Sequence, residues 1–196
     1  TIVRSLLSFA RSDSRQRQVT DLRDVLEQTL TLTAAQLRKD GIRLDLDLPD
    51  ALPPVACVPQ EIEQVFLNLL NNSRYALLEA GESGAPRRIT VTAGGESTPD
   101  GPWARVSFHD NGIGIPQACL DRVTHPFFST KPRGKGTGLG LSISDGIVAD
   151  HGGRLVIESS EGEYTRVDVL LPVVCVEGEG VLSEAEVAGS VQGVGA

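Results

Sequence analysis

Methionine is absent from the 196 residues, aromatic side chains make up only 4% of them, and cysteine occurs three times. Cys57, Cys119 and Cys175 stand far apart, without the short intervals of a metal site. An odd, dispersed set reads as reduced thiols in a cytoplasmic domain and excludes a disulfide framework. No apolar run is long enough to span a bilayer, and the opening residues lack a signal-peptide pattern. Positive charge is also short: 18 Lys and Arg against 26 Asp and Glu leave a net −8, which excludes a general nucleic-acid binder. An anionic ligand would need cations gathered locally against that field. With Thr1 first and no methionine anywhere, the chain is expected to be a piece of something longer, with any membrane anchor outside it.

What is present suits one compact domain. The apolar fraction of 40% is ordinary, and the length is enough to bury a core. Residues 2–18 place Ile2, Val3, Leu6, Leu7 and Ala10 on one face before turning polar, an amphipathic helix without an obvious partner. Asp21 is placed to cap a second helix carrying Leu22, Val25, Leu26, Leu30, Ala34 and Leu37, which Gly41 would stop. IRLDLDL at 42–48 alternates as a strand with one wet face, and LPDALPPV reads as a connection. From Gln60 to Ala80 the stripe Ile62, Val65, Phe66, Leu69, Ser73, Ala76 and Leu77 marks a long helix. Strands are expected over 87–95 and 103–110, joined by the polar loop ESTPDGP. A loop-rich region to about Gly136, a helix near 138–151 and a hairpin of 154–160 with 164–171 follow. The acidic, glycine-rich tail 173–196 reads as disordered or as a linker. Together these elements predict a mixed sheet covered by helices, an α/β sandwich.

Four stretches carry the chemistry. GKGTGLGLS at 134–142 puts glycine at every second place, and helix-like sequence follows directly. It is not a Walker A loop, because Gly136 follows Lys135 where Ser or Thr is needed; nor is it a dinucleotide turn, because the loop PFFSTKPR precedes it where a strand is required. Bare backbone at a helix start still suits phosphate oxygens, and a flexible hinge is the other reading. DNGIGIP at 110–116 turns at Asn111 and Gly112, leaves Ile113 and Ile115 in a loop, and sets Pro116 to start a helix. A strand ending in a tight turn accounts for the polar part. Beside a ring, the isoleucines would form an apolar wall and Asp110 would accept from an exocyclic amine, favouring adenine over guanine. In NLLNN, Asn68 and Asn72 share a helix face at the edge of the apolar stripe. Asn72 reads either as a satisfied core carboxamide or as a neutral oxygen for Mg²⁺, with Arg74 and Tyr75 in reach of the same cavity. THPFFSTKPRGK at 124–135 sets two phenylalanines before Lys131, Arg133 and Lys135. The rings either pin the loop to the core or belong to a mobile lid that brings cations to phosphates.

These four stretches, in this order, resemble the N, G1, F and G2 boxes of the histidine kinase catalytic and ATP-binding domain, of which gyrase B, Hsp90 and MutL carry a looser version. The likeness runs from about Asp21 to Pro172 and is nearest to the subgroup reading NLLxNAxxAL, DNGxGI, PFFTTK and GTGLGL; here the text is NLLNNSRYAL, DNGIGIP, PFFSTK and GTGLGLS. The resemblance implies a two-layer α/β sandwich of the Bergerat type over 19–172. Before it, residues 1–18 would be the end of a dimerisation hairpin, and 173–196 would be a tail. ATP and Mg²⁺ are the implied cofactors, with Asn72 on the metal, Asn68 assisting and Asp110 on the adenine amine. Gly112, Ile113 and Gly114 would shape the adenine pocket, and Thr130, Lys131, Gly136, Thr137, Gly138, Leu139, Gly140 and Leu141 would surround the phosphates. The implied partners are the upstream helical hairpin, which makes the full-length protein a homodimer, and the receiver domain of a response regulator.

Departures from the family pattern are informative. In ATP-hydrolysing relatives a glutamate one turn before the magnesium asparagine activates water. Asn68 stands there, and a carboxamide cannot act as a base, which favours transfer to a protein side chain. The acceptor histidine of such kinases lies upstream, and His109, His125 and His151 do not replace it. The chain is therefore expected to bind ATP·Mg²⁺ without phosphorylating itself. Ser73 replaces the subgroup's alanine, and EGEYT lacks its usual Gly-Thr. The rival readings are an ATP-hydrolysing conformational machine, a serine kinase of the anti-sigma-factor type, and a degenerate ATP-binding interaction module.

Overall fold

The computed structural model describes residues 16–81, 85–132 and 136–174. The chain enters through a short strand, β1 (Gln18–Thr20), and turns at Asp21 into helix α1 (Leu22–Lys39). Asp21 caps that helix as expected: its carboxylate accepts the Arg23 N–H at 2.8 Å, satisfying one of the donors a helix start leaves open. Leu22, Val25, Leu26, Leu30 and Leu37 point into the core, and the chain leaves through Gly41 with φ of +68°. Strands β2 (Arg43–Asp47) and β3 (Val55–Cys57) precede helix α2 (Pro59–Glu79), which opens on a proline whose missing N–H costs nothing in the first turn. Its stripe Ile62, Val65, Phe66, Leu69, Ser73 and Leu77 is buried, and Ala76 is half-buried. Then come β4 (Arg88–Thr98), β5 (Gly101–Asp110), the single turn α3 (Gln117–Leu120), α4 (Gly140–Asp150), β6 (Arg154–Ser160) and β7 (Tyr164–Pro172).

Five strands form one mixed sheet in the order β2-β4-β5-β7-β6, with β2 parallel to β4 and the other pairs antiparallel. Alternation along the strands sends Ile89, Val91, Val106, Phe108, Val167 and Val169 to the helix-covered face, where they join the α1 and α2 stripes and Val148 of α4. Phe66 meets Phe108 with ring centroids 5.4 Å apart, and burying each such ring contributes about 1.5–3 kcal/mol. The opposite face is polar, with Arg166 paired to Glu158 at 2.6 Å and Arg154 lying over Trp103. One layer of helices on one face of a mixed sheet is the expected α/β sandwich. Among the described residues no helix is long and apolar enough to cross a membrane.

Three expectations need correction. ESTPDGP is not a loop: β4 and β5 stay paired to Thr98 and Gly101, and the turn is only Pro99-Asp100. Gly101, with φ of +119°, lets the ladder close so tightly that polar residues run on as a ribbon. Gln18, expected to end a helix, is already in β1, which pairs antiparallel with β3 through Gln18↔Cys57 and Thr20↔Val55. Strands of three residues are too short to show a period, which hid both. The helix expected over 2–18 otherwise falls, up to residue 15, outside the described residues, as does the tail beyond Val174 with Cys175. Val173 bridges Val55, and the Val174 N–H donates to Pro54 O at 2.9 Å, so the start of the expected tail is paired into the fold.

Candidate functional site

A cleft of about 360 Å³ opens between α2, the loop after β5, the segment around 123–131 and the start of α4, with β6 and β7 beneath. The i, i+4 spacing on α2 puts Asn68 and Asn72 on its wall, with Tyr75 beside them. Asn68 Nδ2 donates to Gly140 O at 3.4 Å and to the buried Ser144 Oγ at 3.3 Å, tying α2 to α4. Its Oδ1 is not used in those bonds. Asn72 Oδ1 accepts from Lys131 Nζ at 2.9 Å, and that ammonium also lies 4.3 Å from the centre of the Tyr75 ring. Burial pushes Lys131 below the ordinary lysine range.

Asp110, the last residue of β5, lines the same cleft and is 2% exposed. Burial pushes its carboxyl above the ordinary aspartate value, while donors from the Ser73 hydroxyl and the Gly112 N–H, the latter at 3.0 Å, pull the other way. Gly112 does not line the cleft. It lets the turn cross α2, since a Cβ there would lie 2.7 Å from the Ala76 carbonyl carbon. Gly114 has φ of +65°, and a Cβ on it would lie 2.0 Å from Ser160 O. This pair of close approaches accompanies the placement of Ile113, Gly114 and Ile115 in the cavity wall.

On the far wall stand Thr130, Lys131, Gly136, Thr137, Gly138, Gly140 and Leu141. Gly138, with φ of +66°, packs on Phe127, whose N–H donates to Gly138 O at 2.9 Å. Phe127 itself has φ of +65° and is 79% exposed, whereas Phe128 turns into the cleft. Leu139 is the N-cap of α4; its N–H donates to Thr137 Oγ1 at 3.3 Å, and its side chain does not line the cavity. Arg133, Gly134 and Lys135, part of the expected cation cluster and glycine run, lie outside the described residues.

Arg74 corrects the sequence reading. Two positions beyond Asn72 is about 200° around a helix. Its guanidinium therefore points away from the cleft and pairs with Asp40 at the end of α1, holding that carboxyl below its ordinary value. Sequence reasoning also left out Ser73, Val123, Ile157, Thr165 and Val167, all of which line the cavity. Ser73 follows Asn72 directly and was in view; Thr165 reaches the site only because β7 pairs it with Asp110. None of the three histidines lines the cleft.

Such a cavity is lined by a buried carboxylate, apolar side chains, two helix amides, a lysine and a helix start. It suits a flat ring with an amine donor attached to an anion.

Residues 57–174 match the family described as "Histidine kinase-, DNA gyrase B-, and HSP90-like ATPase". Sporulation kinase E of Bacillus subtilis is 32% identical over 88% of this chain, sensor kinase CckA of Brucella abortus 36% over 88%, and sensor histidine kinase ZraS of Escherichia coli K12 33% over 88%. The chain spans 22%, 19% and 34% of the length of these relatives. Among solved structures, the catalytic domain of the histidine kinase ThkA superposes with a TM-score of 0.68 at 28% identity, covering 81% of this chain and 96% of that one. Full-length ShkA in complex with AMPPNP shares the fold, with a TM-score of 0.72 at 22% identity, covering 90% of this chain and 36% of that one. With its four sequence boxes on one cleft and a match running through the sheet and helices that build it, the chain belongs to the family of histidine kinase-, DNA gyrase B- and HSP90-like ATPases.

Proposed function

We propose that this chain is the ATP-binding catalytic domain of a two-component sensor histidine kinase. In that role it transfers the γ-phosphate of ATP to a histidine upstream of these residues, from which an aspartate of a response regulator receives it. The observation that carries the reading is the cleft, which joins the buried carboxylate of Asp110 to two helix asparagines and a lysine. Asp110 would accept the adenine amine, Ile113 and Ile115 would cover the ring, and the phosphates would run along α2 toward Lys131 and the N–H groups opening α4.

The side chains fit a divalent cation. Asn72 Oδ1 already accepts from a positive group, and Asn68 keeps its oxygen after committing its N–H groups to α4. Two neutral carboxamides leave the ion's charge to be balanced by the nucleotide's phosphates. Mg²⁺ held there would supply charge neutralisation on the transferring phosphoryl group. Asn68 cannot draw a proton from water as the glutamate of hydrolysing relatives does, and positioning of the nucleotide for an incoming imidazole is what the residues support.

The acceptor lies elsewhere on this reading. His151 is buried with both ring nitrogens engaged, His109 stacks on Tyr164 on the sheet, and His125 is exposed outside the cavity. The proposed organisation has the hairpin's end before Gln18, the catalytic domain through Val174, and a tail or linker after it. Dimerisation would belong to the hairpin of the full-length protein.

Transfer from γ-labelled ATP tests the reading, using a longer version that includes the preceding helix beside the present chain. Label on the long version that is lost in acid and kept in alkali, with the short chain unlabelled, is the expected result. Steady phosphate release without labelled protein would favour the hydrolysing machine instead, and label that survives acid would favour a serine kinase.

A further inference from the structure

In a chain with a net charge of −8, a lysine ammonium has more opposite charge than like charge to choose from. That of Lys131 is instead half-buried against two neutral groups, 2.9 Å from Asn72 Oδ1 and 4.3 Å from the centre of the Tyr75 ring. The side chain is held there. Ser129 Oγ accepts the Lys131 N–H at 3.1 Å, and Gly136 lies so close that a Cβ on it would meet the lysine Cδ at 3.0 Å. A carboxamide oxygen and an aromatic face together make a cage for a cation. The ammonium fills that cage, and its stem passes beside Gly136.

We propose that Lys131 is a tethered stand-in for the metal: its ammonium holds Asn72 Oδ1, and it must leave before Asn72 can ligate a cation. The inference rests on the assignment of Asn72 to the metal made above. Its consequence is coupled loading. A divalent cation arriving alone meets the positive charge of Lys131 at contact distance and offers the displaced ammonium no partner. A cation arriving with a nucleotide brings phosphate oxygens to which the ammonium can transfer. Bare metal is thereby rejected, and metal and nucleotide are accepted as a unit.

The test uses the whole chain with ¹⁵N label, following the Lys131 ammonium and the Asn72 side-chain amide by NMR while MgCl₂, ADP, or both are added. In the free chain the Lys131 ammonium protons should be protected from exchange. Protection should survive MgCl₂ alone and disappear with ADP and Mg²⁺ together. Lys131→Met keeps the stem without the charge. Mn²⁺ alone should broaden its Asn72 amide at a concentration about tenfold lower than in the native chain, the worth of one charge-assisted hydrogen bond. Lys131→Arg should stay close to native, and the amide spectra of both variants report whether they are folded.

Rapid exchange of the Lys131 ammonium in the free chain would overturn the proposal, as would equal sensitivity to Mn²⁺ in the native chain and Lys131→Met. Asn72→Ala separates the two layers of argument. If its ADP affinity no longer depends on Mg²⁺ while Lys131→Met behaves as native, the stand-in role alone fails. If Mg²⁺ dependence survives in Asn72→Ala, the assignment of Asn72 fails and the inference falls with it.

Discussion

At Asp110, folding and the proposed adenine contact pull in opposite directions. Burial raises its carboxyl above the ordinary 3.8. A group raised in the folded state contributes stability that is fully present below the unfolded value and is lost as pH rises through the folded one. The native chain is therefore expected to lose this contribution on going upward from about pH 4, the ordinary aspartate range. Asp110→Asn keeps the shape without the charge. At pH 7 it should melt no lower than native, while binding ADP about 10–100-fold more weakly for want of a charged acceptor. Melting curves between acid and neutral pH, with calorimetric titration of ADP, check both halves. An asparagine variant that binds like native would remove Asp110 from the adenine role. Gly114 offers a second test at this scale. Gly114→Ala should cost about 1–2 kcal/mol through its left-handed backbone alone, with the Ser160 clash added. Gly81→Ala, at φ of +68° with nothing within 4 Å, isolates the backbone share. Equal losses of melting temperature in the two would mean that the turn over the cavity is loosely packed.

Which residues could be read from the sequence follows from how each reaches the cleft. Asn68, Asn72 and Asp110 sit inside short motifs whose local geometry fixes their direction, and all three line the cavity. Arg74 sits in the same motif, yet helix rotation turns it to Asp40, a partner 34 positions away that no local pattern announces. Thr165 and Val167 depend on β5–β7 register, which the sequence leaves open.

Elements follow a similar division. Long helices with a 3.6-residue stripe and strands with alternation were legible, because burial of one face imposes the period. The two-stranded sheet of β1 and β3 has no period to show, and its Val55 and Cys57 are held by burial in the core. One such fixture is testable. His151, 4% exposed at the C-cap of α4, accepts the Val58 N–H through Nε2 at 3.0 Å and pairs its Nδ1 with Ile147 O at 2.7 Å. It thereby joins the end of one site helix to the start of the other, which suits the neutral ring with its proton on Nδ1. His151→Phe fills the space but leaves the Val58 N–H without its acceptor, and a loss of about 1–3 kcal/mol in urea unfolding is expected. An unchanged midpoint would mean that the bond between these helices is dispensable.

For the whole molecule, the net charge of −8 makes nucleotide binding a local victory over a repulsive field, and stability should report it. Ligand at about 100 times its dissociation constant adds about 2.7 kcal/mol to stability, and in a domain of this size that raises the melting temperature by about 5–10 °C. ATP with Mg²⁺ is expected to produce such a shift. GTP at the same concentration should not, because its six-position oxygen would face the Asp110 carboxylate, acceptor against acceptor. Equal shifts from the two nucleotides would place the binding energy in the phosphates alone, and the purine would then be seated without contact to Asp110. A shift with ATP that vanishes in Asp110→Asn would tie the stability of the whole sandwich to one buried carboxylate at the end of its central strand.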